Sequence, residues 1–118
     1  MPRAVDGTRR KDRRKKILAL TKGAYGRRST NFRVAKDTAT KAGQYAYRDR
    51  KKKKSFFRAL WITRISAACK EYDINYSRFI NGLDKAGVTI NRKVISNLAI
   101  EDKEAFKALV DVAKKSLS

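Results

Sequence analysis

Four consecutive lysines, Lys51-Lys52-Lys53-Lys54, stand in a chain that has no histidine and a single cysteine, Cys69. The chemistry on offer is charge neutralisation. A cation brought against a phosphate releases condensed counterions, and arginine adds bidentate contacts and stacks on bases. The lysine run belongs to a longer series: Arg3, Arg9, Arg10, Lys11, Arg13, Arg14, Lys15, Lys16, Lys22, Arg27, Arg28, Arg33, Lys36, Lys41, Arg48, Arg50 and Arg58. Tyr25, Phe32, Tyr45 and Tyr47 are interleaved with these cations, and such rings hold single-stranded or looped RNA by stacking. Phe32 and Tyr45 could equally pack on neighbouring helix turns. Without histidine, no Ser–His–Asp or Cys–His arrangement can be assembled. One cysteine builds neither a Cys/His zinc site nor an intramolecular disulfide. No enzyme activity, metal or cofactor is expected. Cys69 reads as a small buried hydrophobe.

The charge is unevenly placed. Residues 1–58 hold 21 Lys and Arg against 4 Asp and Glu, whereas residues 59–118 hold 10 against 7. Large apolar residues run the other way, 9 in the first part and 19 in the second. The first part therefore has too little apolar surface to offset the entropy of ordering, and its charge repels itself until a counter-charge arrives. It is expected to be mobile alone and ordered on a polyanion. The second part is near the lower size limit for independent folding. These are the two expected domains: 1–58, a basic helical extension built to meet a polyanion, and 59–118, a globular all-α unit. The longest apolar run near the N-terminus is Ile17–Leu20, too short for a membrane span or an export signal, so a cytoplasmic protein is expected.

The elements that position the cations are helical throughout. Thr8–Thr21 reads as a helix capped by Thr8, and the glycines of Lys22-Gly23-Ala24-Tyr25-Gly26 mark a bend. From Phe32 to Tyr72 there is no proline and only Gly43 as a weak point, so one helix of roughly 60 Å is expected. Its basic part is charged on every side, which leaves no face to lay on its own protein. Ala35, Ala39, Ala42, Gly43 and Ala46 form an uncharged strip, either where RNA backbone comes close or simply good helix formers. Phe57, Trp61, Ile65, Ala68 and Tyr72 form an apolar stripe flanked by Phe56, Leu60 and Cys69, so this end of the long helix reads as the first core helix, and a Trp61 buried in the core would cost about 3–5 kcal/mol on truncation to alanine. Tyr76, Phe79, Ile80 and Leu83 define a helix that Gly87 stops; Asn91 caps one carrying Val94, Ile95 and Leu98. Phe106, Leu109, Val110, Ala113 and Leu117 define a last helix, with Glu101, Asp102 and Glu104 at its start and Lys114 and Lys115 at its end. The fold class is all-α: a long basic helical N-terminal extension followed by a small C-terminal helical bundle.

Other motifs weigh less. Gly23-Ala24-Tyr25-Gly26 has the form of a KH-domain clamp loop, but no strands surround it, and a turn is the simpler reading. Asp6, Asp12, Asp37 and Asp49 lie among cations and are expected to pair with them. The rival function is a DNA-binding protein, of nucleoid or helix-turn-helix type; residues 76–86 and 92–100 could form the latter, but Arg92–Ile100 has few base-reading side chains and the charge lies elsewhere.

Several stretches carry a family resemblance: Arg14-Lys15-Lys16-Ile17-Leu18, Lys22-Gly23-Ala24-Tyr25-Gly26-Arg27-Arg28-Ser29, Ala42-Gly43-Gln44-Tyr45-Ala46-Tyr47-Arg48-Asp49-Arg50, Leu60-Trp61-Ile62-Thr63-Arg64-Ile65 and Tyr76-Ser77-Arg78-Phe79-Ile80-Asn81-Gly82-Leu83. The chain resembles the L twenty family of bacterial large-subunit ribosomal proteins over nearly its whole length. The resemblance implies a helical extension threaded into large-subunit (23S-type) ribosomal RNA, a C-terminal domain seated on that RNA, a role in early subunit assembly and no enzymatic activity. It implies location in the cytoplasmic large subunit, with a protein of the L twenty-one family as neighbour and neither membrane nor small-molecule substrate. It adds Ser29 and Gln44 to the RNA-contact residues, and Arg64, Ser77, Arg78, Asn81, Arg92 and Lys93 in the second part; Tyr76 is either a contact or core. The family usually carries more basic residues near positions 4–6, where this chain has Ala4-Val5-Asp6.

Overall fold

The computed structural model describes residues 7–118. Among these the elements are α1 (Arg9–Leu20), a single 3-10 turn (Gly26–Arg28), α2 (Phe32–Glu71), α3 (Tyr76–Lys85), α4 (Arg92–Glu101) and α5 (Lys103–Leu117), with no strand. The chain divides after Lys51 into two compact units.

In the first unit the described residues bury two side chains, Thr21 and Ala35, at 4% and 0% exposure. Ile17, Leu18 and Phe32 are half-buried. The Arg14 guanidinium lies 5.1 Å from the centre of the Phe32 ring. Thr8 precedes α1 in helical backbone and its side chain makes no capping bond; only its carbonyl takes part, accepting from Asp12 N–H at 2.8 Å. The expected side-chain cap is absent because a capping hydroxyl needs extended backbone at that residue. Gly23 and Gly26 have φ of +87° and +63°, so the bend between α1 and α2 uses both glycines in the left-handed region.

The second unit is built on a core of Ile65, Cys69, Ile74, Phe79, Leu83, Ile95, Phe106, Val110 and Ala113. Phe79 and Phe106 rings meet at 5.5 Å, and Tyr72 reaches Phe106 at 6.0 Å. α3 and α4 each pack on α5. The α3–α5 contact is very close: a Cβ added to Gly82 would fall 2.5 Å from the Ala113 carbonyl oxygen. Ser116 Oγ donates to the Gly82 carbonyl across the same interface at 2.6 Å.

Helix ends account for much of the local precision. α3 closes as expected on Gly87, whose φ is +72°. Val88 N–H reaches Leu83 C=O and Gly87 N–H reaches Asp84 C=O, the paired bonds of a Schellman motif. α2 ends in the same way without glycine: Asp73 takes φ +54°, with Ile74 N–H on Cys69 C=O and Asp73 N–H on Lys70 C=O. Lys114 Nζ donates to the Tyr72 carbonyl at 2.7 Å, filling an acceptor left open at that end. Asn91 caps α4 through Val94 N–H at 2.9 Å. Asp102 caps α5 through Ala105 N–H at 3.0 Å, a more specific role than the dipole match expected for it.

The apolar stripe of α2 is only partly core. Ile65 and Cys69 are fully buried, but Phe56, Phe57 and Leu60 are exposed at 79%, 42% and 39%. Trp61 is half-buried and stands outside the core cluster, 6.4 Å from Phe57. The core reading of Phe56, Phe57, Leu60 and Trp61 is thereby corrected. The core takes in α2 side chains only from Ile65 onward; in the turn before it Trp61 and Ile62 are half-buried, and Phe56, Phe57 and Leu60 are exposed.

Candidate nucleic-acid interface

The site grows out of the composition of α2. Alanine, lysine, arginine and glutamine are good helix formers, so propensity favours helix along a segment that has no core against it. Every residue from Thr40 to Leu60 is exposed. Lys41, Gln44, Tyr45, Tyr47, Arg48, Arg50, Lys51, Lys52, Lys53, Lys54 and Arg58 all lie in this stretch, with Arg33 and Lys36 exposed just before it. Arg9 apart, the ion pairs of the described residues are Arg48–Asp49 at 3.0 Å and Lys103–Glu71 at 3.7 Å. The expectation that the acids pair with cations therefore holds for Asp49 and fails for Asp12 and Asp37. Asp12 lies in the first turn of α1, where the helix dipole favours it. Asp6 and Arg3 fall outside the described residues.

α1 presents Arg9, Arg10, Lys11, Arg13, Arg14, Lys15 and Lys16 to solvent. Lys22, Arg27 and Arg28 are exposed around the bend. Ser29 is half-buried, and its hydroxyl donates to the Gly26 carbonyl at 3.2 Å within its own turn. A shallow groove brings Arg28, Lys41 and Tyr45 together with Val34, Asp37, Thr38 and Ala42. Of the uncharged strip, Ala35 is covered by its own chain and Ala39 is half-covered; Ala42, Gly43 and Ala46 are exposed.

The aromatic rings fall into two kinds. Tyr45 has Lys41 at 5.1 Å and Arg48 at 5.0 Å from its centre; Tyr47 has Lys51 at 4.5 Å; Phe57 has Lys53 at 5.8 Å. Each partner lies three or four residues away, where helix geometry makes neighbours. Phe32 is half-buried beneath Arg14, which favours packing over stacking for that ring. Tyr25 is 95% exposed, and no cation of the described residues lies over it.

In the second unit Arg64, Ser77, Arg78, Asn81 and Lys93 are exposed. Arg92 is half-buried and its Nε donates to the Tyr76 hydroxyl at 2.8 Å. Tyr76 itself packs against the core. The two readings of Tyr76 thus merge: its ring is packed, and its hydroxyl orients a guanidinium whose terminal nitrogens stay available. Sixteen residues separate the pair, a contact that no local pattern could signal.

No group of His, Cys, Asp or Glu able to hold a metal occurs among the described residues, and no described helix is long and apolar enough to cross a membrane. What remains is a surface suited to a polyanion. Residues 3–109 match the family described as ribosomal protein L20. The chain belongs to that family. It is 53% identical over 117 residues to the large ribosomal subunit protein bL20 of Natranaerobius thermophilus, covering 99% of this chain and 100% of that one. It is also 53% identical to large ribosomal subunit protein bL20 of Oceanobacillus iheyensis, covering 99% of each. Membership of the L20 family accounts for the basic surface and sets aside a helix-turn-helix reading of α3 and α4.

Proposed function

We propose that this chain is a structural, non-enzymatic constituent of the cytoplasmic large ribosomal subunit, where it binds ribosomal RNA beside other ribosomal proteins. One observation carries this most: an L20-family chain whose α2 is exposed from Thr40 to Leu60, with its cations almost unmatched by acids. Two RNA helices brought side by side repel through their phosphates. A slender helix bearing cations in all directions neutralises both at once without a bulky domain between them. Residues 1–58 then form the part that enters the RNA and take their final order there, and residues 59–118 seat the protein. Arg64, Ser77, Arg78, Asn81, Lys93 and the Tyr76-held Arg92 make the contacts of that seat.

The same arrangement supports a role in early assembly, since neutralisation has to precede close approach of the RNA helices. A protein of the L twenty-one family fits as neighbour. Pull-down of the two proteins with and without large-subunit RNA tests that pairing. For the main reading, affinities for large-subunit RNA fragments and for duplex DNA are compared at the same salt. RNA fragments bind more tightly on this account; equal affinities contradict it.

A further inference from the structure

Phe56 is the exposed ring of α2 that carries no cation. Tyr45, Tyr47 and Phe57 each hold a lysine or arginine over the ring. Phe56 is 79% exposed, and the described contacts place neither ring nor cation against it. Helix geometry puts Lys52 and Lys53 one turn before it and Ala59 and Leu60 one turn after, on the same side. A single exposed apolar side chain is ordinary on a protein surface. This one is nearly bare and sits one turn from Lys52 and Lys53, which no acid among the described residues pairs with.

We propose that Phe56 is a stacking position for an unpaired nucleobase. The inference rests on the RNA-binding function proposed above. Phosphates drawn to Lys52 and Lys53 bring a polynucleotide over this turn of α2. What a polynucleotide can then lay on a bare phenyl ring is the face of a base that is not already stacked in a duplex. The capped rings serve differently. Each holds its ammonium or guanidinium group in place, and a base reaching that face must first displace a hydrated cation. A partner protein with an apolar surface is the other conceivable occupant, and the flanking charge disfavours it.

The test uses the full chain and three probes: a single-stranded oligoadenylate, an abasic oligoribonucleotide of the same length, and an A-form RNA duplex. Stacking on one base contributes about 1–3 kcal/mol, so Phe56→Ala weakens oligoadenylate binding about 5- to 150-fold. Phe56→Tyr restores it. Binding to the abasic strand and the duplex stays within about twofold, and the salt dependence is unchanged because no phosphate contact is lost. Phe56 lies outside the core cluster, so the melting temperature of the variant stays that of the parent chain. A Lys52→Gln/Lys53→Gln variant weakens all three probes. If that variant does so while Phe56→Ala alters none, or all three equally, the stacking assignment is overturned and the RNA-binding function stands. If Phe56→Ala abolishes capture of a ribosomal protein but leaves every RNA probe unaffected, the occupant is a protein and the assignment is likewise wrong. If neither variant alters any probe, the function proposed above fails as well.

Discussion

Gly82→Ala and Gly43→Ala place the same methyl group at the middle of two helices and have opposite consequences. At Gly82 the new Cβ lies 2.5 Å from the Ala113 carbonyl oxygen and 2.8 Å from both Ala113 Cα and Cβ. Two of those atoms are backbone, so no side chain can turn aside; α3 and α5 must separate. Separation strains an interface that includes Phe79 and Phe106 and lengthens the bond from Ser116 Oγ to the Gly82 carbonyl. Overpacking costs about 1–3 kcal/mol, and the weakened hydrogen bond adds about 1 kcal/mol. Against this, alanine favours the helix by about 1 kcal/mol. The clash wins, with a net loss of about 1–3 kcal/mol. For a domain of this size each kcal/mol lowers the melting temperature by about 4–8 °C. At Gly43 nothing lies within 4 Å of an added Cβ, so only the propensity gain remains. Thermal and urea unfolding of the full chain by circular dichroism read the first effect. Helical ellipticity and amide exchange of α2 read the second. A Gly82→Ala protein as stable as its parent would refute the close-packed α3–α5 interface. If the exposed strip at Ala42, Gly43 and Ala46 is where RNA backbone comes close, Gly43→Ala also weakens RNA binding while it stiffens the free helix.

Other substitutions test the core and its edges. Burial pushes the Cys69 thiol up to about 11 from an ordinary 9.0. Between those values the unfolded chain has lost the thiol proton and the folded chain keeps it, so stability falls as pH rises through the window, by up to about 1.4 kcal/mol per pH unit. Cys69→Ala should lack that component, which urea melts across the window measure. Ser96 is fully buried and its hydroxyl has no hydrogen-bond partner among the described residues, so Ser96→Ala is neutral or stabilising by about 1 kcal/mol in the same assay; a loss above that shows a bond to the hydroxyl. Trp61→Ala, at a half-buried ring outside the core cluster, costs about 1–2 kcal/mol, well short of a core truncation, and Phe79→Ala costs about 3–5 kcal/mol. Comparable losses for the two would return Trp61 to the core. Residues 40–60 of the free protein exchange their amides fast; slow exchange there would contradict ordering against RNA.

Much of the fold was legible in local pattern. Tyr76, Phe79, Ile80 and Leu83 all join or line the core, because periodicity of 3.6 reports a shared face. Gly87 and Asn91 mark real helix ends, because each satisfies a backbone group that the helix leaves open. The limits are equally physical. Periodicity continues back through Phe57 and Trp61, but it says only which residues share a face, not how far the covering helices extend. The pattern therefore draws Phe56 and Leu60 into a core that begins only at Ile65. Asp73 in the left-handed region carried no glycine to announce it. The Tyr76–Arg92 bond and the Gly82–Ala113 approach depend on tertiary placement and have no sequence signal. In the basic surface, composition identified the cations and left open the packing of Tyr45 on neighbouring turns, where Lys41 and Arg48 cover it, but not the cations over Tyr47 and Phe57.

The most direct measurement is the slope of log affinity against log salt for a large-subunit RNA fragment, compared between the parent chain and Lys52→Gln/Lys53→Gln/Lys54→Gln. If these ammonium groups sit on phosphates, the slope becomes shallower by about 0.7–0.9 for each contact removed, or about 2–3 in all. An unchanged slope, with affinity intact, would mean that α2 meets the RNA by other means or not at all.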